Sequence, residues 1–281
     1  MPYITVGHEN SSAIDIYYED HGDRSGQPVV LIHGFPLSGA SWEKQVPMLL
    51  DSGHRVVFYD RRGFGKSSQP TTGYDYDTFA ADLNIIMNTL DLRDAVLTGF
   101  SMGTGEVTRY LGTYGAGRIA KAVLFGPLGP YLLQADDNPE GVPAKVFEDI
   151  KAAIREDRFA YQKTFLDNFY NVDVFGGTRR ISDQAWQNSW IVAAGASPLG
   201  TLKCVDAWGT DFRGDMAGLG SVPLLIVQGS EDRILPPPNS GRRLPALVPN
   251  AEYHEIDGGP HNIGWTHADQ LNPLFEAFLS K

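Results

Sequence analysis

Five short apolar runs in this sequence each stop abruptly at a turn, and that recurrence restricts the chain to few architectures. Pro28 to Ile32 empties into His33-Gly34-Phe35-Pro36, Arg55 to Tyr59 into Asp60-Arg61-Arg62-Gly63, and Ala95 to Thr98 into Gly99. Ala120 to Phe125 ends at Gly126-Pro127, and Pro223 to Val227 at Gly229. Runs this short, near-continuously apolar, read as strands buried on both faces. Between them lie segments of helical spacing, such as Tyr76 to Leu90, where Phe79, Leu83, Ile86 and Leu90 recur every three or four residues. Strand and helix therefore alternate. The pattern predicts an α/β fold: a mostly parallel central sheet flanked by helices, with the active site at the carboxyl ends of the strands.

The alternation lapses from about Leu132 to Phe212, a stretch rich in aromatics: Phe147, Phe159, Phe165, Phe169, Tyr170, Phe175, Trp186 and Trp190. Apolar spacing in Phe147, Ile150, Ile154 and in Phe159, Phe165, Phe169 predicts amphipathic helices. Residues 132–213 are therefore expected to form a helical cap inserted into a core made of 1–131 and 214–281. Most of its aromatics should be core, and a minority should line a pocket.

A chain of 281 residues buries a sizeable core without disulfides or metal. Its net charge of -11 repels phosphates, which argues against DNA, RNA or an anionic membrane as partner. The single cysteine, Cys204, cannot form an intramolecular disulfide, and Met1-Pro2-Tyr3-Ile4 lacks the basic and apolar regions of a signal peptide. No run approaches the roughly 18 to 20 apolar residues of a spanning helix, so a cytoplasmic location is expected.

The chemistry is carried by Gly99-Phe100-Ser101-Met102-Gly103, set between the strand ending near Thr98 and the helix-like run Glu106 to Tyr110. Gly-x-Ser-x-Gly in that setting is a sharp turn that holds the serine hydroxyl out toward substrate, with glycines where side chains would collide with backbone. As a structural turn alone it would be unremarkable; a base and an acid farther along decide otherwise. A serine hydroxyl needs a base to take its proton. In folds built on such a turn the partners follow in the order serine, acid, histidine. After the strand ending at Val227 comes Gly229-Ser230-Glu231-Asp232, and after Glu252 to Ile256 comes Gly258-Gly259-Pro260-His261. Ser101 is thus expected to be the nucleophile, His261 the general base, and Asp232, in preference to its neighbour Glu231, the residue that fixes the imidazole tautomer.

Among the other histidines, His33 is expected to buttress the first loop and His267 to start the last helix. Without His-Glu-x-x-His or paired cysteines, no metal site is expected. Gly63-Phe64-Gly65-Lys66-Ser67 lacks the first glycine of a phosphate loop, where Asp60 stands, and Gly103-Thr104-Gly105 lacks the third glycine of a dinucleotide loop, where Thr108 stands. No cofactor is expected. Backbone N–H groups of Phe35 and Met102 are expected to form the oxyanion hole, since Pro36 has no N–H to give.

The chain resembles the bacterial cofactor-free haloperoxidases, or perhydrolases, of the α/β-hydrolase fold. The resemblance runs through His33 to Leu37, Tyr59 to Ser68, Gly99 to Val107, Ala185-Trp186, Asp232 to Pro236, and Pro260 to His267, with Ser101-Met102-Gly103-Thr104-Gly105-Glu106-Val107 the most specific segment. It implies hydrolysis of small esters, formation of a peracid from a short carboxylic acid and hydrogen peroxide, and halide oxidation by that peracid away from the site. It also implies Ser101, Asp232 and His261 as the triad, with Phe35 and Met102 as the oxyanion donors, and suggests a homo-oligomer. Phe35, Met102, Gly126, Trp208, Ile234 and Asn262 are expected to contact an ester, lactam or carboxylic acid substrate.

Other readings stay open at this point. A γ-lactamase or amidase would use the same triad on a cyclic amide, and a non-catalytic ligand-binding protein could keep the fold and the residues. A dehalogenase would want a carboxylate at position 101, and a haem peroxidase would have only Cys204 as thiolate.

Overall fold

Branched and leucine side chains suit a pleated surface covered on both sides, and the strands at 28–32, 55–59, 95–100 and 224–229 are buried along their whole length. The computed structural model describes residues 2–281; Met1, the first residue of the N-terminal stretch, lies outside the described residues. The strands are β1 (Tyr3–Glu9), β2 (Ser12–His21), β3 (Pro28–Ile32), β4 (Arg55–Tyr59), β5 (Ala95–Phe100), β6 (Ile119–Phe125), β7 (Leu224–Gly229) and β8 (Ala251–Ile256). Among the described residues they form one eight-stranded sheet of order β1-β2-β4-β3-β5-β6-β7-β8. From β4 to β8 every pairing is parallel, and only the β1–β2 hairpin and the β2–β4 pair are antiparallel.

The helices are α1 (Val46–Asp51), α2 (Tyr76–Thr89), α3 (Met102–Tyr114), α4 (Ala144–Tyr170), α5 (Val172–Phe175), α6 (Asp183–Ala194), α7 (Pro198–Ala207), α8 (Met216–Leu219), α9 (Ile263–Thr266) and α10 (Ala268–Leu279). Alternate strand residues feed two separate cores. Val30 and Ile32 of β3 join Phe79, Leu83 and Ile86 of α2 and Val107 of α3. Val29 and Leu31 join Leu49 of α1 and Leu271, Phe275 and Phe278 of α10. Each such side chain taken fully out of water contributes roughly 1.5–3 kcal/mol, so both helical layers are held by ordinary apolar burial. This is the mostly parallel, helix-flanked sheet that the apolar runs imply. Among the described residues no helix is long and apolar enough to cross a membrane.

Residues 132–213 contribute α4 to α7 and, among the described residues, no strand beyond isolated bridges. The two apolar series in this stretch share the long helix α4, which is broken at Asp157 (φ -153°, ψ 96°). The Asp157 carboxylate accepts from the Phe159 and Ala160 amides, both at 3.0 Å, and so caps a fresh helix start. Beyond the break, α4 is tied to the core loops: the Asn262 amide donates to the Phe169 carbonyl at 3.0 Å, and Asn171 Nδ2 to the Glu231 carbonyl at 3.0 Å.

Candidate active site

Ser101 stands between the last residue of β5 and the first of α3, with φ 53° and ψ -122°. A non-glycine residue there stores about 1–3 kcal/mol of strain, offset by its surroundings. Its amide donates to the Phe125 carbonyl on β6 at 2.8 Å, and its carbonyl accepts from Thr104 Oγ1 at 2.6 Å. The turn also needs bare backbone on either side. A Cβ at Gly103 would lie 2.2 Å from the Ile32 carbonyl oxygen, and one at Gly99 would lie 2.5 Å from that of Gly103.

The strand ends bring the other expected residues to the same place. His261 follows β8, and its Nε2 lies 2.8 Å from Ser101 Oγ. Asp232 follows β7, with Oδ2 2.7 Å from His261 Nδ1. A carboxylate only accepts, so Nδ1 carries the ring proton and Nε2 offers its lone pair to the Ser101 hydroxyl. Asp232 Oδ1 accepts from the Ile234 and Leu235 amides at 2.9 and 2.8 Å, which fixes the carboxylate before the histidine meets it. Glu231 faces solvent. His261 is fully buried, its ring packed on Phe100 and Phe169 with centroids 5.2 and 5.0 Å away.

Phe35 and Met102 flank the serine on the β3 loop and at the N-terminus of α3. Among the described residues neither amide has a hydrogen-bond acceptor within the protein, and the positive end of the α3 dipole lies at Met102. Both segments are braced from beneath by one buried ion pair, Arg61 with Glu106 of α3. Tyr59 donates its hydroxyl to Glu106 at 2.5 Å, and Arg61 Nη2 donates to the His33 carbonyl at 2.7 Å. The Arg61 amide donates to His33 Nε2 at 2.9 Å, and His33 Nδ1 donates to the Gly34 carbonyl at 2.9 Å. Those partners demand a neutral imidazole. Burial, with the adjacent Arg61 charge, holds His33 well below its ordinary range.

Ser101 forms the floor of a cavity of about 210 Å³. Phe35, Met102, Trp208 and Ile234 line it. Gly126 and Asn262, also expected to contact substrate, are not among its lining residues. Gly126 backs onto the histidine, where a Cβ would lie 3.3 Å from the His261 ring, so it shapes the base rather than the substrate's walls. Asn262 turns away: its Oδ1 accepts from the Trp265 amide at 3.1 Å to cap α9, and its Nδ2 donates to the Tyr170 hydroxyl at 3.2 Å. Sequence reasoning had not singled out Leu128, Leu132 and Leu235 as walls, and among the cap aromatics it could not tell that Phe147 and Phe165 face the cavity. The one available signal was the shared helical face of Phe147 and Ile150, both of which line it. Phe35 packs edge-on against Trp208 and Phe165, with centroids 4.9 and 5.5 Å away, so the loop after β3 and residues 132–213 share one wall.

Cys204 is buried in α7, and burial pushes its thiol up to about 12, so it stays protonated. Among the described residues no three His, Cys, Asp or Glu side chains converge to hold a metal ion. His267 stands at the N-cap of α10, as its position before the last helix predicts.

Comparison with known proteins identifies the family of the chain. The sequence profile of the alpha/beta hydrolase fold matches residues 27–268. A Synechocystis sp. protein named "Putative non-heme chloroperoxidase" is 61% identical over 279 residues, covering 99% of this chain and 100% of its own. A "Bifunctional esterase/perhydrolase" of Acinetobacter calcoaceticus is 32% identical, covering 99% of each chain. Among solved structures, a bromoperoxidase from Bacillus anthracis superposes with a TM-score of 0.94 at 45% identity, covering 100% of this chain and 99% of that one. The chain therefore belongs to the α/β-hydrolase fold family and, within it, to the group of non-haem haloperoxidases and related esterases.

Proposed function

We propose that the protein is a serine hydrolase that takes small carboxylic esters, forms an acyl-enzyme on Ser101, and passes the acyl group to water or to hydrogen peroxide. One observation carries the reading: an unbroken hydrogen-bonded line from Ser101 through His261 to Asp232, opening on an apolar cavity. The ester carbonyl enters with its oxygen toward the Phe35 and Met102 amides. As Ser101 Oγ attacks, its proton passes to His261 Nε2, and Asp232 stabilises the imidazolium. The oxyanion is held by the two N–H groups, each worth about 10² to 10³ in turnover in comparable sites. His261 then returns the proton to the leaving alcohol and deprotonates the incoming water or peroxide, releasing acid or peracid. A released peracid oxidises halide in solution, so no metal enters the cycle. A cavity of about 210 Å³ favours short acyl groups. The names of the relatives support the perhydrolase side of the reading. We extend it to a cytoplasmic setting, in keeping with a lone buried thiol.

The test is release of p-nitrophenol from p-nitrophenyl acetate by the wild type and Ser101→Ala, each with and without hydrogen peroxide. Loss of turnover in the variant, with peroxide diverting wild-type acyl-enzyme into peracetic acid, supports the reading. Equal rates in the two proteins would end it.

A further inference from the structure

Met102 has two surfaces with different fates. Its amide faces the oxyanion position, while its side chain joins the apolar cluster that holds Phe35, Leu128, Phe147 and Trp208, all of which line the cavity over Ser101. The residue is only 1% exposed, so its thioether is shielded from oxidants in bulk solvent. Met48 on α1, by contrast, is half-buried and outside this cavity, whereas Met87 and Met216 are buried in the core away from it. A peracid released from Ser101 is born inside that shield, one residue from a soft, polarisable sulfur.

We propose that Met102 is a self-oxidation site, converted to the sulfoxide by peracid formed at Ser101, and that this modification limits the number of perhydrolysis turnovers. The inference rests on the perhydrolase reading. In the step, the Met102 sulfur lone pair attacks the distal peroxy oxygen, the O–O bond breaks, and the peroxy proton ends on the departing carboxylic acid. Peracid plus thioether thus become acid plus sulfoxide: sulfur is oxidised by two electrons and the peracid is reduced. The new S–O dipole lies in an apolar wall with few donors to satisfy it, so it disfavours the acyl group and draws water into the cavity. Hydrolysis of esters without peroxide makes no peracid and leaves Met102 intact. Because the side chain is buried, repair by a sulfoxide reductase requires local opening, so the damage accumulates with turnover.

The experiment incubates the full-length protein with acetate and hydrogen peroxide, without halide, in excess free methionine. The free methionine consumes escaping peracid and, corrected for peroxide alone, counts it. Peptide mass spectrometry then reads sulfoxide at Met102 and Met48. The expected result is Met102 sulfoxide rising in step with lost esterase activity, little oxidation at Met48, and an unmodified Met102 in Ser101→Ala. A Met102→Leu variant should keep its own initial rate severalfold longer under the same conditions, whereas Met48→Leu should decay like wild type. If scavenger oxidation depends on Ser101 while Met102 stays reduced, the proposal falls and the perhydrolase reading stands. Equal Met102 oxidation in Ser101→Ala also overturns it, because bulk peroxide then suffices. If no scavenger is oxidised above the peroxide control, the perhydrolase reading fails and takes the proposal with it.

Discussion

Replacing Asp232 with Asn tests how the acid loop sets the protonation of the histidine. The carboxylate accepts from the Ile234 and Leu235 amides at 2.9 and 2.8 Å through one oxygen and from His261 Nδ1 at 2.7 Å through the other. A carboxamide has one oxygen and one NH₂, so it cannot accept on both sides. If its NH₂ faced the two amides, it would strand two buried donors at roughly 1–3 kcal/mol each, so the oxygen stays with the backbone. The NH₂ group then faces His261, whose Nδ1 must accept, and the ring proton moves to Nε2, against Ser101. A base in that tautomer cannot take the serine proton. The expected loss in kcat is about 10⁴, equivalent to about 5.4 kcal/mol of barrier, with little change in folding because the two backbone hydrogen bonds survive. Steady-state hydrolysis of p-nitrophenyl acetate measures the first quantity and urea unfolding the second. A folded Asp232→Asn protein within tenfold of wild type would refute the assignment. Exposed Glu231 is the matched control, and Glu231→Gln should leave kcat close to wild type.

Three further outcomes follow from the same network and cavity. Glu106→Leu leaves the Arg61 guanidinium buried without its partner and should destabilise the protein by about 3–5 kcal/mol in urea. Adding Arg61→Met should recover part of that stability but not kcat, since the His33 carbonyl has then lost its donor. Because the folded-state pKa of His33 is depressed, its contribution is full above the ordinary value of 6.5 and is lost as pH falls below it. Unfolding free energy should therefore decline by up to about 1.4 kcal/mol per pH unit below 6.5, and His33→Gln should flatten that slope in urea titrations at pH 5 to 7. Trp208→Ala should cost about 3–5 kcal/mol of stability and raise kcat/KM for p-nitrophenyl hexanoate relative to acetate; an unchanged ratio in a folded variant would show that Trp208 does not bound the acyl chain.

What could be read from the sequence was whatever depends on strand ends. β3 to β7 are predominantly apolar, and the turns after β5, β7 and β8 carry Ser101, Asp232 and His261 in the expected order. The hairpin β1–β2 escaped because its strands are half-exposed; the short alternations Ile4-Thr5-Val6 and Ile14-Asp15-Ile16 mark it, with Ile4, Ile14 and Ile16 turned inward. The cavity walls escaped because a helix's apolar face does not say which neighbour it meets. Asn262 and Gly126 lie next to His261 in sequence or space, yet the direction a loop turns is set by its caps and hydrogen bonds, and these point Asn262 at α9 and Tyr170. The Arg61–Glu106 pair was hidden for the same reason: forty-five residues separate its members, and only the folded sheet brings them together.

The break in α4 divides labour between change and constancy. Upstream of Asp157 the helix offers Phe147 and Ile150 to the acyl chain and carries no bond to the histidine or acid loops; downstream it is fastened to both, through the Phe169 carbonyl and Asn171. Because Asp157 caps the second segment independently, the first can be replaced, lengthened or tilted without re-registering the second. A lineage can therefore remodel which acids it accepts by editing the thirteen residues from Ala144 to Glu156, whose errors stay local, and an engineer diversifying this enzyme should randomise that stretch and leave Phe159 to Asn171 untouched.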